Sequence, residues 1–215
     1  MNPKPEIFGF PQSNFARAVR IVCAEKAIDY DYRPSRPKTP EVSAIHPLGK
    51  IPVLRHGDLT IAESAAIINY LDHAFPDTPM GRGETAAETA EIQQWSSIVA
   101  TSADPILVRK YVFAHLFPET ADGVVDPRAV QATLPKMHEL LAVLNARVGE
   151  TGYLAASRFT FADALLISTL AAVRLFPEGA SALTANQQLT TYMLQHAKRS
   201  SVVSTDPWTA GKAAE

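Results

Sequence analysis

The sequence predicts two domains of different class: an α/β domain over residues 1–76 and an all-α domain over residues 84–215. Short apolar runs of strand length alternate with helical patterns in the first region. Residues 77–83 are rich in proline, glycine and charge, which is typical of a linker. Beyond the linker, only the helical spacing of apolar residues recurs. This change of period along the chain indicates the change of fold class.

The first region is predicted to fold in the order strand, helix, strand, short helix, strand, strand, helix. After the first strand, apolar residues recur at helical spacing and predict one amphipathic helix. The last two strands flank a turn that contains Gly57, which is typical of a hairpin. The predicted strands are Ile7–Phe10, Tyr30–Arg33, Ile51–Arg55 and Leu59–Ala62, and the predicted helices are Phe15–Ala27, Glu41–Ile45 and Ser64–Phe75.

The second region is predicted to contain helices only. The first helix should kink at Asp104-Pro105, because proline lacks the amide hydrogen of a helical bond. The second keeps its helical spacing despite Pro135. Thr160 and Asp163 match an N-terminal capping box and predict where the third begins. The predicted helices are Glu84–Leu116, Arg128–Val148, Ala164–Leu175 and Asn186–Lys198, followed by an irregular tail.

Composition and charge exclude several classes of function. Of the 215 residues 47% are hydrophobic, and the net charge of −2 offers no basic surface for nucleic acid or acidic membranes. No apolar run approaches the roughly 20 residues that span a bilayer, and the start of the chain lacks the apolar segment of a signal peptide. We therefore expect a cytoplasmic protein with no nucleic-acid partner and no membrane association.

The single cysteine and the six histidines point away from disulfide and metal chemistry. One cysteine, Cys23, excludes an internal disulfide, and its place on an apolar helix face predicts a small buried side chain. The histidines show no metal-ligand spacing. Asp163 is expected to cap its helix rather than to act in catalysis. No metal site is predicted.

Pro52 is the most informative residue of the chain. It lies in an apolar, strand-like run, where proline cannot donate a ladder hydrogen bond. We therefore predict a cis Ile51–Pro52 peptide bond in a tight turn, which leaves the backbone of Ile51 free to bind a ligand. Glu63 and Ser64 follow at the head of an apolar helix. This spacing resembles that of a thioredoxin-like glutathione site.

Four motifs in order resemble the cytosolic glutathione transferase family, and the resemblance covers the chain to about Trp208. It implies a thioredoxin-like N-terminal domain and an all-helical C-terminal domain. His46 departs from the asparagine that the family usually has before the proline-glycine stretch. The motifs are Ser13 four residues before an arginine, as in theta-like, phi-like and many bacterial members, His46–Val53, the pair Glu63-Ser64, and the capping motif Phe159–Asp163.

The resemblance implies that Ser13 is the catalytic residue. Glutathione's thiol has a pKa near 8.5, so an enzyme must lower it to obtain the thiolate. A hydroxyl that donates to sulfur and a helix N-terminus both favour the anion, and Ser13 supplies both. Asn14 is an alternative donor to the thiol. The plain structural alternative for Ser13 is an N-cap without a catalytic role.

By the same resemblance, glutathione is held along its whole length as a cosubstrate. Glu63 would face the ammonium and Ser64 the carboxylate of the γ-glutamyl end. Ile51, before Pro52, would bond the cysteinyl backbone through its main chain. Two lysines are candidates for the glycyl carboxylate, with solvated surface residues as the alternative reading. These lysines are Lys38 and Lys50.

The second substrate implied by the family is a small hydrophobic electrophile. The family places the pocket for it near the end of the first long helix, where Tyr111, Phe113, His115 and Phe117 lie, with Phe10 from the first domain. Plain core packing is the alternative reading for this aromatic group. Conjugation is the expected reaction, while isomerisation, dehalogenation, peroxide reduction or a non-catalytic binding module remain open. The resemblance also implies a homodimer.

Overall fold

The computed structural model describes residues 3–120 and 122–208, and it confirms the predicted fold class. A four-stranded mixed sheet with three helices comes first, and the rest of the described chain is helical. The strands are β1 (Glu6–Gly9), β2 (Asp31–Pro34), β3 (Val53–His56) and β4 (Leu59–Ala62), and the helices are α1 (Asn14–Glu25), α2 (Pro40–Ser43) and α3 (Ser64–Ala74).

The sheet has the strand order β2-β1-β3-β4. β1 and β2 run parallel, whereas β3 pairs antiparallel with both β1 and β4. A parallel pair needs a crossover connection, which α1 provides. On the apolar face of α1, Val19, Val22 and Cys23 are completely buried. The resulting βαβ unit followed by a hairpin and a helix is the thioredoxin-like arrangement.

The helical region is built around one buried helix, α7. All 13 residues of α7 are buried, and it packs against α1 of the first domain as well as against α4. The two domains therefore share one apolar core. The helices are α4 (Ala86–Ile98), continued by π-helical turns at Val99–Ala103 and Pro105–Val112, α5 (Phe113–Leu116), α6 (Pro127–Thr151), α7 (Phe161–Val173), α8 (Pro177–Ala185), α9 (Gln187–His196) and α10 (Ser200–Ser204).

Some features of the helical region differ from the sequence-based predictions. In place of a single kink at Asp104-Pro105, wider π-helical turns lie on both sides of Asp104, and they accommodate a proline that cannot donate a helical hydrogen bond. The helix α8 was not predicted. The predicted irregular tail is wrong at Ser200–Ser204, which form α10. Residues 209–215 of that tail lie outside the described residues.

Asp163 organises the start of α7, as the capping motif predicts. Its Oδ2 accepts bonds from the Thr160 backbone N–H at 2.9 Å and the Thr160 hydroxyl at 3.0 Å. Its Oδ1 accepts bonds from the Leu154 N–H at 2.7 Å and the Tyr192 hydroxyl at 2.9 Å. The side chain is completely buried, and burial raises its pKa to about 6 despite these donors. Asp163 therefore fixes the entry to α7.

A buried ion pair fastens the segment between the two domains. Lys26 Nζ lies 2.9 Å from Asp72 Oδ1, and both side chains are almost completely buried. Asp72 also accepts the backbone N–H groups of Met80 and Gly81, and Lys26 donates to the carbonyl of Thr78. Because a buried charge must be paired, these contacts hold the connecting segment against α1 and α3.

No helix within residues 3–120 and 122–208 is both long enough and apolar enough to cross a bilayer.

Candidate functional site

One end of the sheet brings three segments of the predicted site together. Val53, the first residue of β3, pairs with β1 on one side and with β4 on the other. The residues just beyond these pairs are Gly9, Pro52 and Glu63. They therefore lie side by side at the same end of the sheet.

Gly9 allows the start of α1 to approach the proline loop. A Cβ atom at Gly9 would lie 2.6 Å from the Cβ of Ala16 and 3.8 Å from the Cβ of Pro52. The first distance is too short for two carbon atoms, so a larger residue would push α1 away. The Ile51–Pro52 peptide bond is cis, as the sequence predicts. The first turn of α1 and the cis-proline loop thus form one continuous surface.

Ser13 is the N-cap of α1 and is half-buried. Its Oγ accepts a hydrogen bond from Ala16 N at 3.3 Å, and no acceptor for the hydroxyl proton lies within bonding distance in the part of the chain that the structure describes. The first turn of α1 carries no acidic side chain, so nothing there neutralises the positive end of the helix dipole. Ser13 can therefore donate a hydrogen bond to an anion at this helix end.

Asn14, the alternative donor, has a different environment. It is 4% exposed, and its Nδ2 donates to Asp104 Oδ1 at 2.9 Å and to Thr169 Oγ1 at 3.1 Å. Both amide hydrogens are therefore committed to the helical domain. Asp104 in turn accepts a bond from Arg109 Nε at 3.1 Å through its other oxygen. Asn14 joins α1 to α7 and to the π-helical segment.

Glu63 and Ser64 mark the start of α3. Glu63 has φ +68° and ψ 122°, a sparsely populated conformation that costs roughly 1–3 kcal/mol. Its side chain is 69% exposed, and Oε1 lies 3.1 Å from Nε2 of the buried His46. Ser64 is almost buried, and no side chain caps the first amide groups of α3. An anion at this helix end would meet free N–H donors.

Lys38 and Lys50 lie beside one another at the rim of the same surface. Both side chains are exposed, and the backbone N–H of Lys38 donates to the carbonyl of Gly49 at 2.8 Å. Gly49 has φ +63°, and a Cβ there would lie 3.1 Å from Lys38 Cγ, so glycine permits this close approach. The contact brings the backbones of two lysines together just before the cis-proline loop.

The structure separates the predicted residues of the electrophile pocket. Phe10 is half-buried beside Ser13, whose N–H donates to its carbonyl at 3.0 Å. Tyr111, in contrast, is completely buried, donates to Glu178 and accepts from the backbone N–H of Gly179. The ring of His115 contacts Tyr111 edge to face and belongs to the same packed group. Tyr111 therefore packs in the core with His115 against it, and the assignment of these residues to a second-substrate pocket stays a prediction.

The helical region contains a separate cavity of about 610 Å³ between the π-helical turns and α6. Phe113 and Phe117 line it together with Arg109, whose guanidinium lies 4.9 Å from the Phe113 ring. Arg109 is also the partner of Asp104. The cavity therefore shares one residue with the hydrogen bonds that hold Asn14.

Two further observations concern cysteine and metal chemistry. Cys23 is completely buried, and burial raises the pKa of its thiol to about 12, so its side chain packs as a small apolar group. Within the described ranges, no three His, Cys, Asp or Glu side chains come close enough to hold a metal ion.

Sequence reasoning did not find the partners of Asn14 or the contact of His46 with Glu63. Asp104 and Thr169 lie 90 and 155 residues from Asn14 in the chain. No local pattern carries such a contact. His46 did give a signal, because it stands where the related motif has asparagine.

Comparisons with known proteins agree with this geometry. Models of the glutathione S-transferase N-terminal and C-terminal domains match residues 7–79 and 108–198. Glutathione S-transferase F6 from Arabidopsis thaliana is 31% identical over 166 residues, covering 74% of this chain and 78% of that protein. The chain belongs to the glutathione S-transferase family. As a member of this family of enzymes, it has the N-terminal sheet domain and the C-terminal helical domain in the expected order.

Two other proteins that are similar to this chain bear on its function. The structure of glutathione S-transferase I from mais, in complex with an atrazine glutathione conjugate, matches with a TM-score of 0.82 and 25% identity, covering 94% of this chain and 96% of that chain. Elongation factor 1-gamma 2 from Oryza sativa subsp. japonica is 32% identical over 135 residues, covering 62% of this chain and 30% of that protein. The transferase family fold therefore recurs in a protein that is named for a different role.

Proposed function

We propose that this glutathione S-transferase conjugates glutathione to small hydrophobic electrophiles and that Ser13 stabilises the thiolate. The observation that carries the proposal is the hydroxyl proton of Ser13, which has no acceptor within the described residues and lies at the positive end of α1, whose first turn carries no acidic side chain. A donor and a helix dipole at one point both lower the pKa of a thiol. The thiolate sulfur then forms a bond to the electrophilic carbon, and the leaving group departs with its electron pair.

The proposed glutathione site follows the end of the sheet. Glu63 faces the ammonium and Ser64 the carboxylate of the γ-glutamyl end, where the free amide groups of α3 favour an anion. Ile51, before the cis Pro52, bonds the cysteinyl backbone. Lys38 and Lys50 complete the proposed site at its other end.

Lys38 and Lys50 are proposed to bind the glycyl carboxylate. Their support is the close approach of the Lys38 backbone to Gly49, which places two exposed lysines next to each other in the fold. An exposed ion pair of this kind contributes about 0.2–1 kcal/mol. These residues should therefore affect affinity less than the γ-glutamyl contacts do.

Ser13 is preferred to Asn14 because the polar hydrogens of the two side chains differ in their hydrogen bonds within the protein. Both amide hydrogens of Asn14 are bonded to Asp104 and Thr169, and the side chain is buried. To bond a sulfur atom, Asn14 would have to give up one of these bonds. Ser13 needs no such exchange, because its Oγ accepts from Ala16 and keeps its proton for the ligand.

The test is Ser13→Ala, compared with Ser13→Thr. A hydrogen bond to a charged group is worth roughly 1.5–3 kcal/mol, so Ser13→Ala should lower kcat about ten- to a hundredfold. The pKa of bound glutathione, followed by thiolate absorbance, should rise. Ser13→Thr keeps a hydroxyl and should retain most of the activity.

The matched control is Thr85→Ala. Thr85 caps α4 in the same way, by accepting a bond from Glu88 N at 3.1 Å, but it is not part of the proposed site. Loss of either cap should destabilise the fold by about 1 kcal/mol. Only the change at Ser13 should move kcat and the thiol titration, and unchanged values in Ser13→Ala would refute its proposed role.

A second candidate function is a module with the transferase fold that binds glutathione without turnover. The likeness to elongation factor 1-gamma 2 favours it, because that protein is not named as a transferase. Retention on glutathione resin together with turnover of a generic aryl halide supports the enzyme. Retention without turnover of any electrophile supports the module.

The remaining features stay predictions of this proposal. They are the electrophile class, the homodimer, the cytoplasmic location and the domain division at residues 77–83. Isomerisation, dehalogenation and peroxide reduction use the same thiolate and are alternative reactions at the same site. Phe10 is the one residue of the predicted electrophile pocket that lies beside Ser13.

A further inference from the structure

His46 is a buried polar residue that the proposed reaction does not use. It is 3% exposed and lies in the turn that leads from α2 to the cis-proline loop. Its backbone is fixed on both sides, because its N–H donates to the carbonyl of Val42 and its carbonyl accepts from Gly49, both at 2.8 Å. The backbone from which the imidazole ring extends is therefore fixed in place beside the proposed glutathione site.

The hydrogen bonds of the ring determine which nitrogen carries the proton. The backbone N–H of Leu48 lies 3.0 Å from Nδ1 and can only donate, so Nδ1 is the acceptor. The neutral ring then carries its hydrogen on Nε2. Nε2 lies 3.1 Å from Oε1 of Glu63, so His46 donates to this carboxylate.

Apart from the hydrogen bond from His46, little restrains the side chain of Glu63. It is 69% exposed, and neither carboxylate oxygen has another hydrogen-bond partner in residues 3–120 and 122–208. Its backbone is fixed at φ +68°, so the chain direction at this point is set while the side chain stays free to rotate. The bond from His46 removes that freedom for one oxygen and leaves the other for a ligand.

We propose that His46 is a positioning residue that aims Glu63 at the ammonium group of the γ-glutamyl end of glutathione. This inference rests on the proposed function of Glu63 and adds the residue that sets its direction. His46 also joins the two halves of the site, because its turn leads to Lys50 and Ile51 while its ring holds the start of α3.

Two substitutions separate the two bonds of the ring. In His46→Asn, the amide oxygen can occupy the place of Nδ1 and accept from Leu48, but the side chain is too short to reach Glu63. In His46→Gln, the amide nitrogen can occupy the place of Nε2 and donate to Glu63, while the bond from Leu48 is lost. The pair therefore distinguishes positioning of Glu63 from support of the turn.

The probes are S-methylglutathione and its analogue without the α-amino group, in which a glutaryl group replaces the γ-glutamyl group. Binding of both is measured by titration calorimetry to each folded variant. For the wild type, S-methylglutathione should bind more tightly than the analogue. His46→Asn should weaken the binding of S-methylglutathione by about two- to fivefold and leave the analogue unchanged.

His46→Gln should retain most of the preference for the amino group. Glu63→Gln, at an exposed position, should reduce the same preference, and adding His46→Asn to it should produce no further loss. In kinetics, His46→Asn should raise the KM for glutathione and leave kcat unchanged, because the ammonium group does not change during reaction.

An equal loss of both probes in His46→Asn, with no rescue by His46→Gln, would overturn the inference and leave His46 as support for the turn. The same loss in Glu63→Gln with and without His46→Asn supports it. A wild type that binds S-methylglutathione only as weakly as the analogue would refute the proposed role of Glu63, and the inference with it. A wild type that binds neither probe would refute the proposed function itself.

Discussion

The starts of α1 and α7 use similar residues in opposite ways. At α7, Asp163 is buried and accepts four hydrogen bonds from groups of the protein. At α1, Ser13 accepts one bond, and its proton has no acceptor in the described ranges. One helix start has its hydrogen bonds completed within the chain, and the other leaves a donor available. The difference shows that a capping residue can serve a ligand only where the fold leaves its hydrogen-bonding capacity unused.

Glu63 and Asp163 repeat the contrast for two carboxylates. Asp163 is completely buried, whereas the side chain of Glu63 is 69% exposed and has one bond, to His46. Removing the first should therefore change stability, and removing the second should change ligand affinity. Three experiments at residues whose hydrogen bonds are completed within the protein test this division. They complement the substitutions at Ser13 and His46.

The largest effect is expected for Asp163→Asn. The new amide group keeps the shape but replaces one acceptor by a donor, so at least one buried N–H or O–H loses its partner. Each buried donor that loses its partner in this network should lower the free energy of unfolding by about 1–3 kcal/mol, and Asp163 has four such donors. Urea unfolding measures this loss. The KM for glutathione of the folded variant should stay at the wild-type value, and a selective rise in KM would break the comparison.

The second effect is a pH dependence of stability that belongs to Asp163. Burial raises its pKa from 3.8 to about 6, so the folded protein binds this proton more tightly than the unfolded chain does. The stability contributed by the group is therefore fully present below pH 4 and is lost as the pH rises through 6, by roughly 3 kcal/mol. The difference in unfolding free energy between wild type and Asp163→Asn, measured from pH 4 to 7, isolates it. A difference that stays constant over this range would contradict the assignment.

The smallest effect is expected for Asn14→Ala. It removes two buried hydrogen bonds next to Ser13, and it leaves Asp104 and Thr169 without this donor, so stability should fall by about 1–3 kcal/mol. The pKa of bound glutathione should not change, because Ser13 remains. The exposed Asn69 provides the control, since Asn69→Ala should alter stability by less than about 0.5 kcal/mol. A large rise of the thiol pKa in Asn14→Ala would make Asn14 the activating donor and remove Ser13 from that role.

The parts of the fold that the sequence predicted are those whose causes are local. The hairpin of β3 and β4 follows from two short apolar runs and a glycine turn, and the cis bond follows from a proline in an apolar run. The start of α7 follows from a capping motif of four residues, 160–163. In each case, neighbouring residues carry the physical cause, so a single sequence is sufficient.

The parts that were missed depend on distant contacts. In α8, Gly179 fits against Val173 and Tyr111, because a Cβ there would lie 2.2 Å from the carbonyl oxygen of Val173. In α10, serine and valine are weak helix formers, and the helix is held by bonds from Ser201 to Glu25 and from Arg17 to the carbonyl of Val202. Neither cause is visible in a local pattern. The burial of Tyr111 has the same origin, because periodicity gives the face of a helix but not what covers it.

The hairpin between the two halves of the proposed glutathione site has strands of fixed length and a turn that can vary. β3 and β4 have 4 residues each, and only Gly57 and Asp58 lie between them. Because strand side chains alternate with a period of two, one residue inserted within either strand would move Glu63 out of line with Pro52. Residues inserted at the turn would extend the opposite end of the sheet and leave this alignment intact. Gly57-Asp58 is therefore the place in this domain where a peptide tag or a reporter group could be introduced without disturbing ligand recognition.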